Sequence, residues 1–365
     1  MNLNAQALDL TLETPFRIAR GVQHAAENVL VQLEADDMVG WGEAAPRPYY
    51  GEQRESVLVA LSYLQDTLGD DPMRIADIFD AMEHTLGYNM SAKAAIDMAL
   101  YDLAGQRLGV PVFQLLGLNP ERTPHTSFTI GIDAPEAMAR RAHEAREHPI
   151  LKIKLGTPND LEIVRAIRGA TNATLRVDAN AAWTPKEAVR AINALEPYDI
   201  EFVEQPVAAH DLAGLRFVRE HVSLPIIADE SCVTFNDVAR VAECADGINI
   251  KLMKCGGISQ ALKMIHAARA HGMRVMLGCM IESSLAITAA AHLSPLVDYA
   301  DLDGPLLISD DPFDGVHVEA GKLILSDRPG LGVRWRGNKT KREAGKPGGS
   351  QQARARAGTA ARTGE

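Results

Sequence analysis

From about residue 126 onward, short apolar runs alternate with longer stretches whose apolar positions recur at helical spacing. The runs cover residues 126–131, 151–155, 174–180, 200–206, 225–230, 247–252, 274–279 and 299–304. Each is short and rich in strand-forming residues, as expected of a barrel strand. Helix ends stand out between them. Thr184-Pro185-Lys186-Glu187 reads as a capping box with proline at the first helical position. Ser259 reads as the cap of a helix carrying Leu262, Ile265 and Ala268, which Gly272 then stops. Eight strands with helices between them predict a (β/α) barrel.

The part before residue 118 follows a different pattern. Val29-Leu30-Val31-Gln32-Leu33 suggests a strand, and glycine-rich loops follow at Gly40-Trp41-Gly42-Glu43 and Tyr50-Gly51-Glu52. Ala95, Met98, Ala99, Asp102 and Leu103 then predict a helix over 91–108, with Ser91 as its cap. These elements together predict an α+β unit over 1–118, ahead of a barrel over 119–315.

The end of the chain differs again. Residues 337–365 hold seven basic side chains (Lys339, Lys341, Arg342, Lys346, Arg354, Arg356 and Arg362), and their only apolar residues are alanines. Such a segment buries too little to offset the entropy of ordering, and it reads as a disordered tail. The whole chain carries a formal charge of −11, which argues against nucleic-acid or membrane-surface partners. No apolar run has the length of a membrane span, and the N-terminus lacks the basic-then-apolar pattern of an export signal. Four cysteines without CxxC spacing then read as reduced thiols of a cytoplasmic protein.

The chemistry lies where the apolar runs end. Thr129, Lys154, Asp178, Glu204, Asp229, Lys251, Cys279 and Asp301 follow one another at intervals of 22 to 28 residues. One strand, one helix and two loops occupy about that length, so these residues fall at the C-terminal ends of neighbouring strands, where barrel active sites are built. Three consecutive members, Asp178, Glu204 and Asp229, are carboxylates. Their hard oxygen donors suit Mg²⁺ or Mn²⁺. Lysines flank them: Lys152 and Lys154 on one face of one strand, Lys251 across the mouth. Amines near other cations and a metal are expected to have lowered pKa values and to serve as bases near neutrality. Two bases facing each other across a metal suit a reaction that removes a proton from one face of a carbon and returns it to the other.

Taken together, Leu151-Lys152-Ile153-Lys154, Val177-Asp178-Ala179-Asn180, Val203-Glu204-Gln205-Pro206, Ala228-Asp229-Glu230-Ser231 and Asn249-Ile250-Lys251-Leu252-Met253-Lys254 resemble the enolase superfamily. The likeness is to its muconate-lactonizing branch and spans roughly residues 5–335. It implies a modified (β/α)₇β TIM barrel under an α+β capping domain that residues 316–336 complete. It also implies Mg²⁺ on Asp178, Glu204 and Asp229, with Lys154 and Lys251 as acid and base. Lys251 stands where the mandelate-racemase branch would place a His-based pair, which disfavours that branch. Ala300-Asp301-Leu302-Asp303-Gly304 resembles the Asp-x-Asp of dipeptide epimerases, whose paired carboxylates would hold a dipeptide ammonium. The same likeness implies substrate contacts from Thr129 and from the backbone around Cys279 and Ile281, while Lys152, beside Lys154, could pair with a substrate carboxylate. Thr14-Pro15-Phe16-Arg17-Ile18-Ala19-Arg20-Gly21 and Pro48-Tyr49-Tyr50-Gly51-Glu52 are similar to L-Ala-D/L-Glu epimerases of murein-peptide recycling. Arg20 and Arg47 are then the candidates for a glutamyl carboxylate. Some of those enzymes carry their arginine where this chain has Gly21. The expected partner is a dipeptide, with homo-oligomers common in the superfamily. The alternatives are N-acylamino acid racemisation, cycloisomerisation or epimerisation of non-glutamyl dipeptides.

Overall fold

The computed structural model describes residues 1–337; all but the first residue of the predicted tail lies outside the described residues. The chain opens with an antiparallel sheet of β1 (Asn2–Ile18), β2 (Gly21–Ala35) and β3 (Met38–Ala44), in the order β1-β2-β3. The β1–β2 ladder runs from Asn2 opposite Glu34 to Ile18 opposite Gly21, and its register slips between Thr11 and Phe16. Helices α1 (Arg54–Leu64), α2 (Ile75–Thr85) and α3 (Met90–Leu108) bury one face of this sheet, around Val29, Val31, Leu61, Phe79 and Leu100. A short α4 (Val112–Leu115) leads out of the unit. Contact between α3 and β3 is close because β3 carries glycines. A Cβ on Gly40 would lie 2.2 Å from the Ala99 carbonyl oxygen, and one on Gly42 would lie 1.9 Å from that of Ala95.

The barrel follows as β4 (Phe128–Ile130), β5 (Ile150–Lys154), β6 (Thr174–Asp178), β7 (Ile200–Glu204), β8 (Ile226–Ala228), β9 (Gly247–Lys251), β10 (Arg274–Gly278) and β11 (Tyr299–Asp301). These eight strands form one parallel sheet in sequence order. A parallel bridge between Thr126 and Ala300, with Ser127 N–H donating to the Ala300 carbonyl at 3.2 Å, brings the two edges together. The intervening helices are α5 (Pro135–Glu144), α6 (Asp160–Ala170), α7 (Pro185–Leu195), α8 (Leu212–His221), α9 (Phe235–Val241), α10 (Leu252–Cys255), α11 (Ile258–Ala270) and α12 (Ser284–Ala291). Inside the barrel, Phe202, Ile227, Met276 and Tyr299 pack as one apolar cluster, and the Arg176 guanidinium lies over the Phe202 and Tyr299 rings. This plug leaves the opposite, C-terminal mouth for polar side chains. The chain then turns back to the capping sheet. Phe313–Asp314 pairs with Arg334–Trp335, and Trp41 of β3 stacks on Trp335 with 5.7 Å between ring centroids.

The capping box of α7 forms as read, with Thr184 N–H donating to Glu187 at 2.9 Å. Two other expected caps do not. Helix α3 begins at Met90, and both the Ser91 amide and its hydroxyl donate to Glu52. Helix α11 begins after Gly257, and Ser259 donates its amide at 3.0 Å and its hydroxyl at 2.5 Å to Asp97 of α3. In both helices a carboxylate from elsewhere in the chain satisfies the first-turn donors, which frees the local serine from that role.

Candidate active site

The strand register brings the predicted ring together. Lys154 lies opposite Asp178, and Asp178 opposite Glu204. On the other side of the barrel Lys251 lies opposite Gly278, and Gly278 opposite Asp301. Asp229 follows directly after β8, two residues past the partner of Glu204. Side chains two apart share a face, so all of these point into the mouth. Asp178, Glu204 and Asp229 are fully buried there.

Three lysines answer that buried charge. Lys154 Nζ lies 2.6 Å from Asp178 Oδ2. Lys152 Nζ lies 2.7 Å from both Glu204 Oε2 and Asp301 Oδ2, and 3.3 Å from Asp178. Lys251 Nζ donates to Asp229 Oδ2 at 2.8 Å. The network reverses the expected sign of the shift at Lys251 and Lys152. Burial alone would lower the Lys251 pKa, but Asp229 and Glu204 hold it above the ordinary value. Lys152 is held well above it in the same way, first by Asp301 and Glu204. Asp178 falls below the carboxylate range because Lys154 and Lys152 outweigh its burial, and Lys251 and Lys254 do the same for Asp229. Glu204 moves the other way, up to about 7, through burial and the neighbouring Asp178.

That imbalance bears on whether a cation fits. The donors are all carboxylate oxygens, and Glu204 Oε2 is buried beside Lys152 without a hydrogen bond of acceptable geometry. Hard oxygen donors, one of them without a hydrogen bond, suit a divalent cation such as Mg²⁺. Ammonium groups now lie between the carboxylates. Among the described residues no three His, Cys, Asp or Glu side chains are placed to hold a metal ion as they stand. Asp178, Glu204 and Asp229 would hold the cation, and it would take over part of the lysines' present role.

A cavity of about 440 Å³ opens between this arc and the capping loops. Its walls include every other site residue read from the sequence: Thr129, Lys152, Lys154, Lys251, Cys279, Ile281, Asp301, Asp303, Arg20 and Arg47. Two of those residues are bound differently from the sequence reading. Lys152 is engaged by carboxylates on several sides, so it is not a free partner for a substrate carboxylate. Asp303 lies just past β11 and accepts from the Thr129 amide at 2.6 Å. Burial and the neighbouring Asp301 push its carboxyl up to about 6. Asp301 accepts from Ser127 Oγ at 2.5 Å and from Lys152, which keeps it below the ordinary range despite burial. Burial, Asp303 and Glu282 raise the Cys279 thiol well above its usual value, so it stays protonated.

Four further residues complete the site. Asn180 donates to Asp178 through its amide at 2.8 Å and its Nδ2 at 3.2 Å. Asn249 Nδ2 donates to Glu204 at 2.8 Å, and Lys254 Nζ to Asp229 Oδ1 at 2.6 Å. Glu230 pairs with Arg20, and its Oε2 is buried without a donor among the described residues. The sequence carried a signal for each. Asn249 stands two before Lys251 on the same strand face, and the other three lie inside the motifs of the site.

Two family models cover nearly all of the described chain. One is the mandelate racemase/muconate lactonizing enzyme N-terminal domain over 4–117, and the other is the enolase C-terminal domain-like unit over 135–339. The chain therefore belongs to the mandelate racemase/muconate lactonizing enzyme family of the enolase superfamily. Among its relatives is the L-Ala-D/L-Glu epimerase of Bacteroides thetaiotaomicron, 43% identical over 89% of this chain and 85% of that protein. The dipeptide epimerase of Enterococcus faecalis, solved with Mg and L-Leu-L-Tyr, superposes with a TM-score of 0.87. It is 40% identical over 91% of this chain and 98% of its own. The substrate-liganded L-Ala-D/L-Glu epimerase of Bacillus subtilis gives a TM-score of 0.88 at 38% identity, over 91% of this chain and 98% of its own.

Proposed function

We propose that the protein is a Mg²⁺-dependent dipeptide epimerase that inverts the α-carbon of the C-terminal residue by passing a proton between Lys154 and Lys251. One observation carries this reading: both amines reach the same cavity from opposite ends of the Asp178–Glu204–Asp229 arc, each on a different carboxylate. The relatives named dipeptide epimerases support it.

The α-proton beside a carboxylate is weakly acidic, because its loss puts a second negative charge on the substrate. When bound, the cation supplies positive charge beside the substrate carboxylate, where that charge develops, and beside the lysines, where it favours the neutral amine. Everything else is the work of side chains. One lysine, as the free amine, takes the proton at Nζ; the other, as the ammonium, donates from the opposite face, and the roles exchange with direction. Lys152 keeps its charge against Glu204 and Asp301, which holds Asp301 ionised. Asp301 and Asp303 receive the dipeptide's ammonium, whose arrival relieves the charge crowding that raises Asp303. Residues 1–118 and 316–336 then act as the cover, and 119–315 as the catalytic barrel.

The glutamyl preference belongs to the same proposal. It rests on the loops at 14–21 and 48–52 and on the relatives named L-Ala-D/L-Glu epimerase. Recycling of murein peptides in the cytoplasm is the setting in which such a substrate arises. Among the described residues no helix is long and apolar enough to cross a membrane. The test is incubation with Mg²⁺ and L-Ala-L-Glu in D₂O, with the glutamyl α-proton followed by NMR. Loss of that signal together with appearance of the L,D diastereomer is the expected result, and chelation should abolish it. Absence of exchange in any dipeptide, with exchange in an N-acylamino acid, would overturn the reading.

A further inference from the structure

Two arginines border the cavity on the side of the capping loops, and among the described residues only one has its charge answered. Arg20 donates through Nη2 to Glu230 at 2.6 Å and through Nη1 to the Asn180 carbonyl at 2.8 Å. Its guanidinium also lies 4.3 Å from the centroid of the Tyr49 ring. These contacts commit Arg20 to holding Glu230 and the loop after β6. Arg47 sits on the loop after β3, half-buried in the cavity wall. Among the described residues no carboxylate lies within 4.0 Å of its guanidinium.

The carboxyl that acts on Arg47 most strongly is Glu282, on the loop after β10, whose Oε1 accepts from the Met280 amide at 2.8 Å. Burial and the neighbouring Glu43 raise the Glu282 carboxyl, and its bonded oxygen is committed to the Met280 amide, not to Arg47. A guanidinium stays charged even where burial opposes it, and a desolvated charge without a counter-ion is costly. The other ends of a bound dipeptide are already allotted. Its carboxylate faces the Asp178–Glu204–Asp229 arc, and its ammonium faces Asp301 and Asp303. The remaining wall, with Arg47 among Phe16, Ile18 and Tyr50, is left for the side chain at the reacting carbon.

We infer that Arg47 sets the substrate class by receiving the side-chain carboxylate of an acidic C-terminal residue, whereas Arg20 is a positioning residue. This assignment rests on the epimerase reading above. It makes selectivity a penalty as much as an attraction, since a neutral side chain leaves Arg47 unpaired and a cationic one faces a like charge.

The experiment compares kcat/KM on L-Ala-L-Glu, L-Ala-L-Gln and L-Ala-L-Lys for the full-length Mg²⁺ enzyme and four variants. Wild type is expected to favour the glutamyl substrate. Arg47→Met should lower kcat/KM on L-Ala-L-Glu by ~30-fold or more while leaving L-Ala-L-Gln within about threefold, which also shows that the variant folds. Arg47→Lys should keep part of the preference, and Arg47→Glu should move it toward L-Ala-L-Lys. Arg20→Met should depress all substrates alike. The assignment is overturned if Arg47→Met keeps the wild-type Glu-to-Gln ratio, if Arg20→Met alone erases that ratio, or if wild type prefers L-Ala-L-Gln or L-Ala-L-Lys. A wild type that epimerises none of the three overturns the epimerase reading, and this assignment with it.

Discussion

Lys154 leans on Asp178 and Lys251 on Asp229, so either amine can be removed without taking the other's partner. Lys154→Ala and Lys251→Ala should each cut epimerisation by ~10²- to 10⁴-fold, the usual worth of a positioned acid or base. Each variant should still exchange the α-proton of one diastereomer with solvent, and the two variants should retain opposite diastereomers. Proton exchange followed by NMR on separate L,L and L,D samples checks this; one variant that still exchanges both would contradict opposite-face chemistry. Asp303 allows a second test at the same scale. Its carboxyl is the less compensated member of the Asp301–Asp303 pair, so the incoming ammonium gains most there. Asp303→Asn should raise KM for L-Ala-L-Glu more than it lowers kcat, for a loss of about tenfold in kcat/KM, the worth of one hydrogen bond to a charged group. A pure kcat effect would instead place Asp303 in the proton transfer.

Elements meet where residues allow the backbones to approach, and β3 on α3 is the closest such contact. Gly42 faces the Ala95 carbonyl across that contact, so the methyl group of Gly42→Ala has no room without moving the strand or the helix. Overpacking of this kind costs roughly 1–3 kcal/mol or more. Chemical denaturation of Gly42→Ala should show that loss, and a variant as stable as wild type would mean that the two elements separate readily. The same scale explains how much could be read from sequence. The barrel and the polar ring at its mouth were legible because strand length, the two-residue side-chain period and the spacing of the strand ends all repeat. The register then confirms Lys154–Asp178–Glu204 as direct neighbours. Caps supplied across the fold left no local mark: nothing near Ser259 or Ser91 announces Asp97 or Glu52. The amine shifts were misread for a related reason. Spacing showed that lysines and carboxylates converge, but only the distances show that each lysine is bonded to a carboxylate, and those bonds raise the pKa of Lys251 and Lys152.

At the scale of the whole molecule, cover and barrel are joined by buried polar contacts that must keep their protonation state. His292, at the end of α12, accepts the Phe113 amide of α4 at Nδ1 (3.1 Å). Its Nε2–H therefore donates to the Leu331 carbonyl, also at 3.1 Å. Three parts of the chain thus meet on one neutral imidazole, stacked on the Phe113 ring. Burial lowers its pKa from 6.5 to about 4, only partly offset by the Leu331 carbonyl. Between these values the unfolded chain takes up a proton that the folded chain refuses, so stability rises with pH across that window. The contribution of His292 is fully present above pH 6.5 and is lost as pH falls through about 4. Its slope is at most about 1.4 kcal/mol per pH unit. His292→Asn offers an acceptor to the Phe113 amide without a titrating ring. It should be less stable than wild type at pH 7, with the gap narrowing steadily down to pH 4.5. Carboxylates titrate in both proteins, so urea denaturation in parallel isolates the histidine. A gap that stays constant with pH would mean that His292 is not held neutral, and that the joint between cover and barrel tolerates the proton.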